Sequence, residues 1–116
     1  DSKNYYRDLF GIDNLAFGKI DVPSFYYFNK INMKLCSSSS THSSIIFCGY
    51  KSIYSALNYN KNEFAKSNFL KTIAFNEKSL KGKMTHYSKI SNEDFIRENN
   101  LSNYIYKYYE NIAEYR

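Results

Sequence analysis

The sequence predicts a small α+β domain: an antiparallel sheet of about four strands, a mid-chain helix, and a C-terminal helix packed on one face. Three patterns lead to this prediction. Past its aromatic start, the stretch from Phe25 to Leu35 alternates apolar and polar residues, as half-buried strands do. After Gly49 the apolar residues move to helical spacing, and a similar apolar stripe runs through the closing segment.

Composition supports a single domain over residues 1–116 with a real core. Hydrophobic residues make up 43% of the chain and aromatic residues 19%, which argues against wholesale disorder. The aromatic residues are 13 Tyr and 9 Phe, with no Trp. Because tyrosine has an apolar ring and a polar tip, many of these rings are expected at core edges or interfaces.

The first half of the chain is predicted to form a short helix and two strands. "NYYRDLF" suits the helix, and Pro23 opens the strand that ends at Leu35. The serines of 37–40 predict a turn, because short polar side chains bond their own backbone. Residues 44–48 are β-branched and aromatic and predict the second strand. The mid-chain helix should follow Gly49.

The second half is predicted to hold a hairpin and two helices. Residues 69–76 and 83–90 suit its strands, with Gly82 in the connecting turn. Ser91, followed by Glu93 and Asp94, predicts a helix N-terminus, where a hydroxyl caps and carboxylates favour the exposed amides. The closing helix carries one apolar stripe: Leu101, Ile105, Tyr108, Ile112 and Tyr115.

The net charge of +5 is compatible with nucleic acid, an anionic membrane or an acidic partner. However, Lys, Asn, Tyr, Phe and Ile are abundant while Gly, Pro and Trp are scarce, which is the amino-acid usage of an AT-rich genome. No run approaches the roughly 20 apolar residues that span a bilayer, so no membrane span is predicted. The sequence begins at Asp1 rather than Met, through processing or through a boundary within a longer chain, and the compartment stays unknown.

Two structural hypotheses concern Cys36 and Cys48. Each cysteine ends a predicted strand, so a disulfide between them would staple a hairpin tip. This would suit an oxidising compartment and a secreted or exported protein. Closing such a loop would stabilise the fold by about 3 kcal/mol. Alternatively, Cys48 is a buried thiol, not in a disulfide, that packs in "IIFC" as a small hydrophobe.

A third hypothesis makes Cys48 a nucleophile. The segment "FCGYKSIYSALN" has an aromatic residue before Cys-Gly, a serine further on, and Leu-Asn near its end; the matching positions are Phe47, Cys48, Gly49, Ser52, Ile53, Leu57 and Asn58. In this it resembles the nucleophile segment of papain-like cysteine peptidases of the bacteriocin-processing and phytochelatin-synthase kinds. The resemblance implies a compact hydrolase with Cys48 at a helix N-terminus and His86 as base.

The resemblance is local. Those families carry a glutamine upstream of the cysteine for the oxyanion hole, and this chain contains no Gln. A third catalytic group would have to be Asn99, Asn100 or Asn103.

The remaining polar motifs support weaker hypotheses. Cys36, His42, Cys48 and His86 match no zinc pattern, so neither a metal nor a cofactor is predicted. His42 is expected in a hydrated loop and His86 on a strand. The lysines around His86 in "KSLKGKMTHYSK" would also suit a small basic ribonuclease or toxin, since phosphodiester cleavage needs a proton shuttle and cations.

The closing segment "NYIYKYYENIAEY" carries the functional prediction. With Tyr108 and Tyr115 on the core stripe, Tyr104, Tyr106, Lys107 and Tyr109 remain for an outer surface. Tyrosine is enriched at protein interfaces and also stacks on bases. The sequence therefore predicts a basic, tyrosine-rich interaction module that binds another macromolecule. A protein partner or larger assembly is favoured and nucleic acid is second; the alternative is the cysteine hydrolase.

Overall fold

The computed structural model describes residues 2–11, 17, 27 and 30–105. Seven regular elements lie in this part of the chain: α1 Ser2–Phe10, β1 Lys34–Cys36, α2 Ser39–Phe47, β2 Ser52–Ser55, β3 Ile73–Ala74, α3 Glu77–Ser88 and α4 Asn92–Glu98. Two single-turn 3₁₀ helices, Lys61–Phe64 and Leu70–Thr72, lie between β2 and β3. Residues 102–105 are also helical.

The sheet has three strands in the order β1-β2-β3, and both pairs are parallel. Leu35 lies opposite Ile53, and Tyr54 lies opposite Ile73. Parallel neighbours cannot be joined by a tight turn and need a crossover. Helix α2 lies in the first crossover, and the 3₁₀ helices lie in the second. The α+β class is confirmed, but the predicted antiparallel sheet of about four strands is wrong.

Helix α2 replaces the predicted serine turn and second strand. Its buried residues are His42, Ile45 and Ile46, spaced i, i+3 and i+4, so they share one helical face. Serine is a weak helix former, but packing of an apolar face supplies most helical stability in proteins. Tertiary burial therefore overrides the turn preference of the serines.

Gly49 ends helix α2 and does not begin another. It has φ of +86°, and its N–H donates to Ile46 O at 2.9 Å. The N–H of Tyr50 donates to Ile45 O at 3.1 Å. These two bonds form a Schellman motif, in which glycine takes the left-handed position after the helix. The mid-chain helix predicted after Gly49 is wrong, because β2 occupies residues 52–55.

Helix α3 replaces the second half of the predicted hairpin. The side chain of Asn76 caps its N-terminus by accepting from Ser79 N–H at 2.8 Å. Leu80 and Tyr87 are seven positions apart, so they share the buried face of the helix. Gly82 lies within the same helix. Of the predicted hairpin, only the two residues of β3 are in a strand.

Two predicted helix features are confirmed. "NYYRDLF" lies within α1. Ser91 caps α4, where its Oγ accepts from Asp94 N–H at 3.0 Å. That helix ends in a second Schellman motif, with Asn100 at φ of +58° and Leu101 N–H donating to Ile96 O at 2.9 Å.

Two other predictions are covered only in part. Of the strand predicted over 25–35, residues 34 and 35 lie in β1 and Tyr27 lies in a 3₁₀ turn. Residues 25, 26, 28 and 29 lie outside the described residues. The closing helix is seen only at 102–105, since residues 106–116 also lie outside them.

One apolar core joins the sheet to the helices. Its buried members are Ile46, Ile53, Ala74, Leu80, Tyr87, Phe95 and Leu101. Helices α2, α3 and α4 each contribute to it, as does each of the strands β2 and β3. Over the described ranges, no helix has both the length and the apolar character needed to cross a membrane.

Candidate functional site

A buried hydrogen-bond chain links the sheet to α2 and to the second crossover; we call it the His42 network. His42 of α2 contacts Ser52 Oγ with Nδ1 at 2.7 Å and Thr72 Oγ1 with Nε2 at 2.8 Å. Ser52 Oγ also contacts Cys36 Sγ at 3.4 Å. Thr72 Oγ1 donates to Phe69 O at 2.7 Å. The network therefore joins two strands, one helix and one 3₁₀ turn, with the His42 imidazole in the middle of the chain.

The partners of Thr72 fix the direction of this chain. Its hydroxyl proton is used on a carbonyl, so its oxygen must accept from His42 Nε2–H. The imidazole then carries its proton on Nε2, and Nδ1 accepts from the Ser52 hydroxyl. Ser52 Oγ is left to accept from the Cys36 thiol. All the donors in the network point the same way, from Cys36 towards Phe69 O.

Burial keeps His42 neutral. The residue is 2% exposed, and Ser52 and Thr72 are fully buried. Desolvation lowers the pKa of His42 to about 4 and raises the pKa of the Cys36 thiol. A neutral imidazole between two buried hydroxyls has both of its nitrogens hydrogen-bonded. The network therefore acts as a structural joint between the sheet and its crossovers.

A cleft opens beside one end of this joint; we call it the Phe69 cleft. It has a volume of about 230 Å³ and is lined by residues 68–72, residues 99–101 and Tyr104. The rings of Phe69 and Tyr104 meet edge to face with centroids 5.4 Å apart. Thr72 and Leu101 are fully buried at its base. Through Thr72 and the Phe69 carbonyl, the His42 network holds one wall of the cleft in place.

Three lysines form a cluster at the same side of the second crossover: Lys61, Lys71 and Lys83. Lys83 Nζ donates to Lys71 O at 2.8 Å, and Lys71 lines the Phe69 cleft. Desolvation and the charge of Lys61 lower the pKa of Lys83. None of the three pairs with a carboxylate in the part of the chain that the structure describes. We call this group the lysine cluster; within the described ranges no ion pair balances its positive charge beside the cleft.

Two further lysines are buried at the amino-terminal ends of strands β1 and β2. Lys51 is 2% exposed and donates to Tyr87 O at 2.8 Å and Ile90 O at 2.6 Å, which caps the carboxyl end of α3. Lys34 is 8% exposed and donates to Ile31 O at 2.6 Å. Desolvation lowers the pKa of both, that of Lys34 to about 8.

The proposed disulfide is not present. Cys36 ends β1 and Cys48 follows the end of α2, and the two do not lie within disulfide distance. The hairpin whose tip they were expected to join does not exist. Cys48 packs instead with Cys36, Ile45 and Tyr50 in a small apolar cluster. The apolar packing agrees with the hypothesis of a small hydrophobe, but Cys48 is only partly buried, and not buried as that hypothesis expected.

The structure also changes the setting of the candidate nucleophile. Cys48 is the C-cap of α2, so it lies at the carbonyl end of a helix. The peptidase resemblance requires the amide end, which stabilises a thiolate. His86, the candidate base, is exposed on α3, where Nε2 contacts Glu98 at 2.8 Å and its ring packs on Tyr87. The hydrogen bonds of the His86 ring go to the Glu98 carboxylate, which is not part of the peptidase resemblance.

Of the four predicted interface residues, the structure describes one. Tyr104 is half-buried and packs against Phe69 and the core, so part of its ring faces inward. Tyr106, Lys107 and Tyr109 lie outside the described residues. The described ranges contain no group of three His, Cys, Asp or Glu side chains that could hold a metal ion.

Sequence reasoning missed His42, which it assigned to a hydrated loop. The available signal was its spacing with Ile45 and Ile46, which puts a histidine on the apolar face of a helix. Such a histidine needs a polar partner on each nitrogen. Ser52 and Thr72 could not be identified as those partners without the parallel order of the strands.

Comparisons with known proteins give no family for this chain. No protein-family model matches it, and no curated protein and no solved structure shows significant similarity to it.

Proposed function

We propose that this protein is an interaction module that binds a protein partner at the Phe69 cleft and the lysine cluster. The observation that carries the proposal is their adjacency: Lys71 lines the cleft, and its main-chain carbonyl accepts a hydrogen bond from Lys83 Nζ. An aromatic-walled cleft supplies an anchor point. The ammonium groups beside it pair with no carboxylate of the described residues, which favours an acidic partner.

The size of the cleft argues for a macromolecular partner over a small ligand. Small-molecule pockets usually measure about 300–1,000 Å³. The cleft, at about 230 Å³, is smaller and suits one inserted side chain. Protein interfaces are typically anchored by a few such buried side chains. The partner segment is therefore expected to present one aromatic or large aliphatic residue flanked by Asp or Glu.

The polar groups of the cleft are available for such a segment. The side chains of Asn68 and Asn100 and the hydroxyl of Tyr104 have no hydrogen-bond partner among the described residues. They can bond the backbone of an extended peptide. Tyr106, Lys107 and Tyr109 remain predicted interface residues that would extend this surface.

The test uses a fluorescein-labelled peptide with one phenylalanine between glutamates, followed by fluorescence anisotropy. The double variant Lys61→Gln/Lys71→Gln is expected to weaken binding at least about fivefold at low salt, because each lost charge removes attraction. The matched control is Lys78→Gln/Lys81→Gln, which makes the same charge change on the faces of α3 about 140–160° from Lys83. The control should bind the peptide like the parent chain.

Three outcomes would contradict the proposal. The two double variants could bind equally; a peptide with alanine in place of phenylalanine could bind as well; or a single-stranded oligonucleotide could bind more tightly than the peptide. The last result, with steep loss of affinity in salt, would make nucleic acid the partner. Separately, Tyr106→Ala is expected to weaken peptide binding while leaving the melting temperature unchanged.

A further inference from the structure

Tyr59 is an exposed aromatic residue whose ring is held in place by other rings. It is 51% exposed, and its ring meets that of Phe64 with the centroids 5.8 Å apart and the planes at 89°. Phe64 in turn packs against Tyr54 and Phe75, with centroids 5.7 Å and 5.5 Å away. Tyr54 is buried in the core beneath them. Because these contacts order the Tyr59 ring from one side, its exposed part can bind a partner at a low cost in conformational entropy.

The backbone limits the distance from Tyr59 to the Phe69 cleft. Thr72, at the base of the cleft, directly precedes β3. At the other end of β3, Ala56 N–H donates to Ala74 O at 2.8 Å, and Tyr59 N–H donates to Ala56 O at 3.1 Å. A strand residue spans about 3.3 Å, neighbouring strands lie about 5 Å apart, and the ends of a β-turn lie less than about 7 Å apart. The Cα atoms of Tyr59 and Thr72 therefore lie within about 20 Å of each other, which about six extended residues can span.

Lysines lie beside both of these aromatic positions. Lys61 begins the 3₁₀ turn two residues after Tyr59, and Lys71 lines the Phe69 cleft. Both belong to the lysine cluster. Glu63, the acidic residue of that turn, lies two positions after Lys61 and is therefore about 120° away from it around the 3₁₀ axis. The surface between Tyr59 and the cleft thus suits a negatively charged segment.

We propose that the partner segment carries two aromatic residues, one held in the Phe69 cleft and one packed on Tyr59, joined by an extended, mainly acidic spacer of at most about six residues. This inference rests on the proposed function, since it concerns the same partner. Tyrosine is one of the residue types that most often dominate the binding energy of an interface. Two linked anchors raise the affinity because the second contact forms within the complex, at the effective concentration set by the short spacer.

The experiment measures the binding of fluorescein-labelled peptides by fluorescence anisotropy. Each peptide holds two phenylalanines separated by about two to six glutamates and flanked by glutamates. A reference peptide of equal length and charge has alanine in place of one phenylalanine. At the best spacing the second phenylalanine is expected to tighten binding to the parent chain at least about fivefold. In Tyr59→Ser this gain should fall to about twofold or less, which is the statistical effect of having two phenylalanines for one cleft, and the reference peptide should bind as it does to the parent chain.

Two matched variants check the role of the ring. Tyr59→Phe keeps the ring and should keep the gain. Ile31→Ser removes another exposed apolar side chain, 42% exposed and next to β1 at the other edge of the sheet, and should also keep the gain.

The possible failures can be told apart. If the parent chain binds the reference peptide but gains about twofold or less at every spacing, this inference is overturned and the proposed function stands. A full gain in Tyr59→Ser would have the same meaning. If the parent chain does not bind the reference peptide, the proposed function is overturned and this inference with it. The series of spacings needs only the parent chain, so misfolding of a variant cannot obscure the result.

Discussion

His42 and His86 show how differently one residue type is used in the two halves of this molecule. His42 lies on α2 in the first crossover, 2% exposed, with a hydroxyl on each nitrogen. His86 lies on the outside of α3, with its side chain 54% exposed and an ion pair to Glu98. The first is neutral and joins four elements, whereas the second is attached to one carboxylate in solvent. Burial, more than the charge of the partner, decides how much each histidine contributes to the stability of the fold.

The largest effect is expected from replacing His42 with an apolar residue. In His42→Leu, the buried Ser52 hydroxyl loses the nitrogen to which it donates, and the Thr72 oxygen loses the N–H that donates to it. The free energy of unfolding should fall by about 3–4 kcal/mol, measured by urea denaturation at pH 7.5. The matched control is His86→Leu, which should stay within about 0.5 kcal/mol of the parent. Similar losses at both sites would show that the His42 network is not a joint.

Lowering the pH should reveal the same difference between His42 and His86 without replacing either side chain. The pKa of His42 is about 4 in the fold, below the ordinary value of 6.5, so the unfolded chain binds the proton first as pH falls. The stability is fully present above pH 6.5 and declines between pH 6.5 and 4, by up to about 3 kcal/mol.

Urea denaturation at several pH values between 7.5 and 4.5 measures this slope. His86→Gln should keep it, and His42→Gln should be less stable at pH 7.5 but have a flatter profile. A His42→Gln profile parallel to that of the parent would assign the acid sensitivity to other groups.

Removing one hydroxyl tests the direction of the network. Thr72→Val keeps the shape of the side chain but deletes the acceptor of His42 Nε2–H, and should cost about 1–2 kcal/mol. Nitrogen-detected NMR of the imidazole should show the Nε2–H tautomer in the parent chain. Observation of the Nδ1–H tautomer would contradict the assigned direction, whatever the change in stability.

The smallest effect is expected at the surface ion pair. Since His86 and Glu98 are both well exposed, His86→Gln should change the free energy of unfolding by less than about 0.5 kcal/mol, and less still in high salt. A loss above about 1 kcal/mol would indicate that this exposed pair does contribute to the fold.

Local signals in the sequence predicted the features that depend on neighbouring residues. The Ser91 cap followed by acidic residues placed the start of α4 correctly, because capping is a contact over three residues. The α+β class and the helix within "NYYRDLF" were also correct. Cys48 as a packed thiol was one of the open hypotheses, and its apolar surroundings support it.

Features that depend on distant parts of the chain were missed. Gly49 was interpreted as a helix start, although glycine in a left-handed conformation more commonly follows a helix end. The strand Ser52–Ser55 is buried at all four positions, so it shows no alternation to mark it as a strand. The pairing direction was not encoded in any single segment, because it depends on a crossover whose helix was itself mistaken for a turn and a strand.

The candidate site also depends on distant parts of the chain. His86 and Cys48 were predicted as site residues because they resemble parts of a peptidase motif. The residues that line the Phe69 cleft come from two segments about thirty positions apart, and nothing in either segment alone indicates a cleft.

The parallel sheet also has a consequence for synthesis of the chain. On the ribosome, β1 emerges well before β2, its partner among the described strands, since residues 37–51 must follow it before β2 appears. Strand β2 then waits for residues 56–72 before β3 can cover its other side. No early hairpin protects these short strands in the meantime. The nascent chain is thus expected to hold exposed strand segments until β3 has left the exit tunnel, and to complete its sheet in one late step.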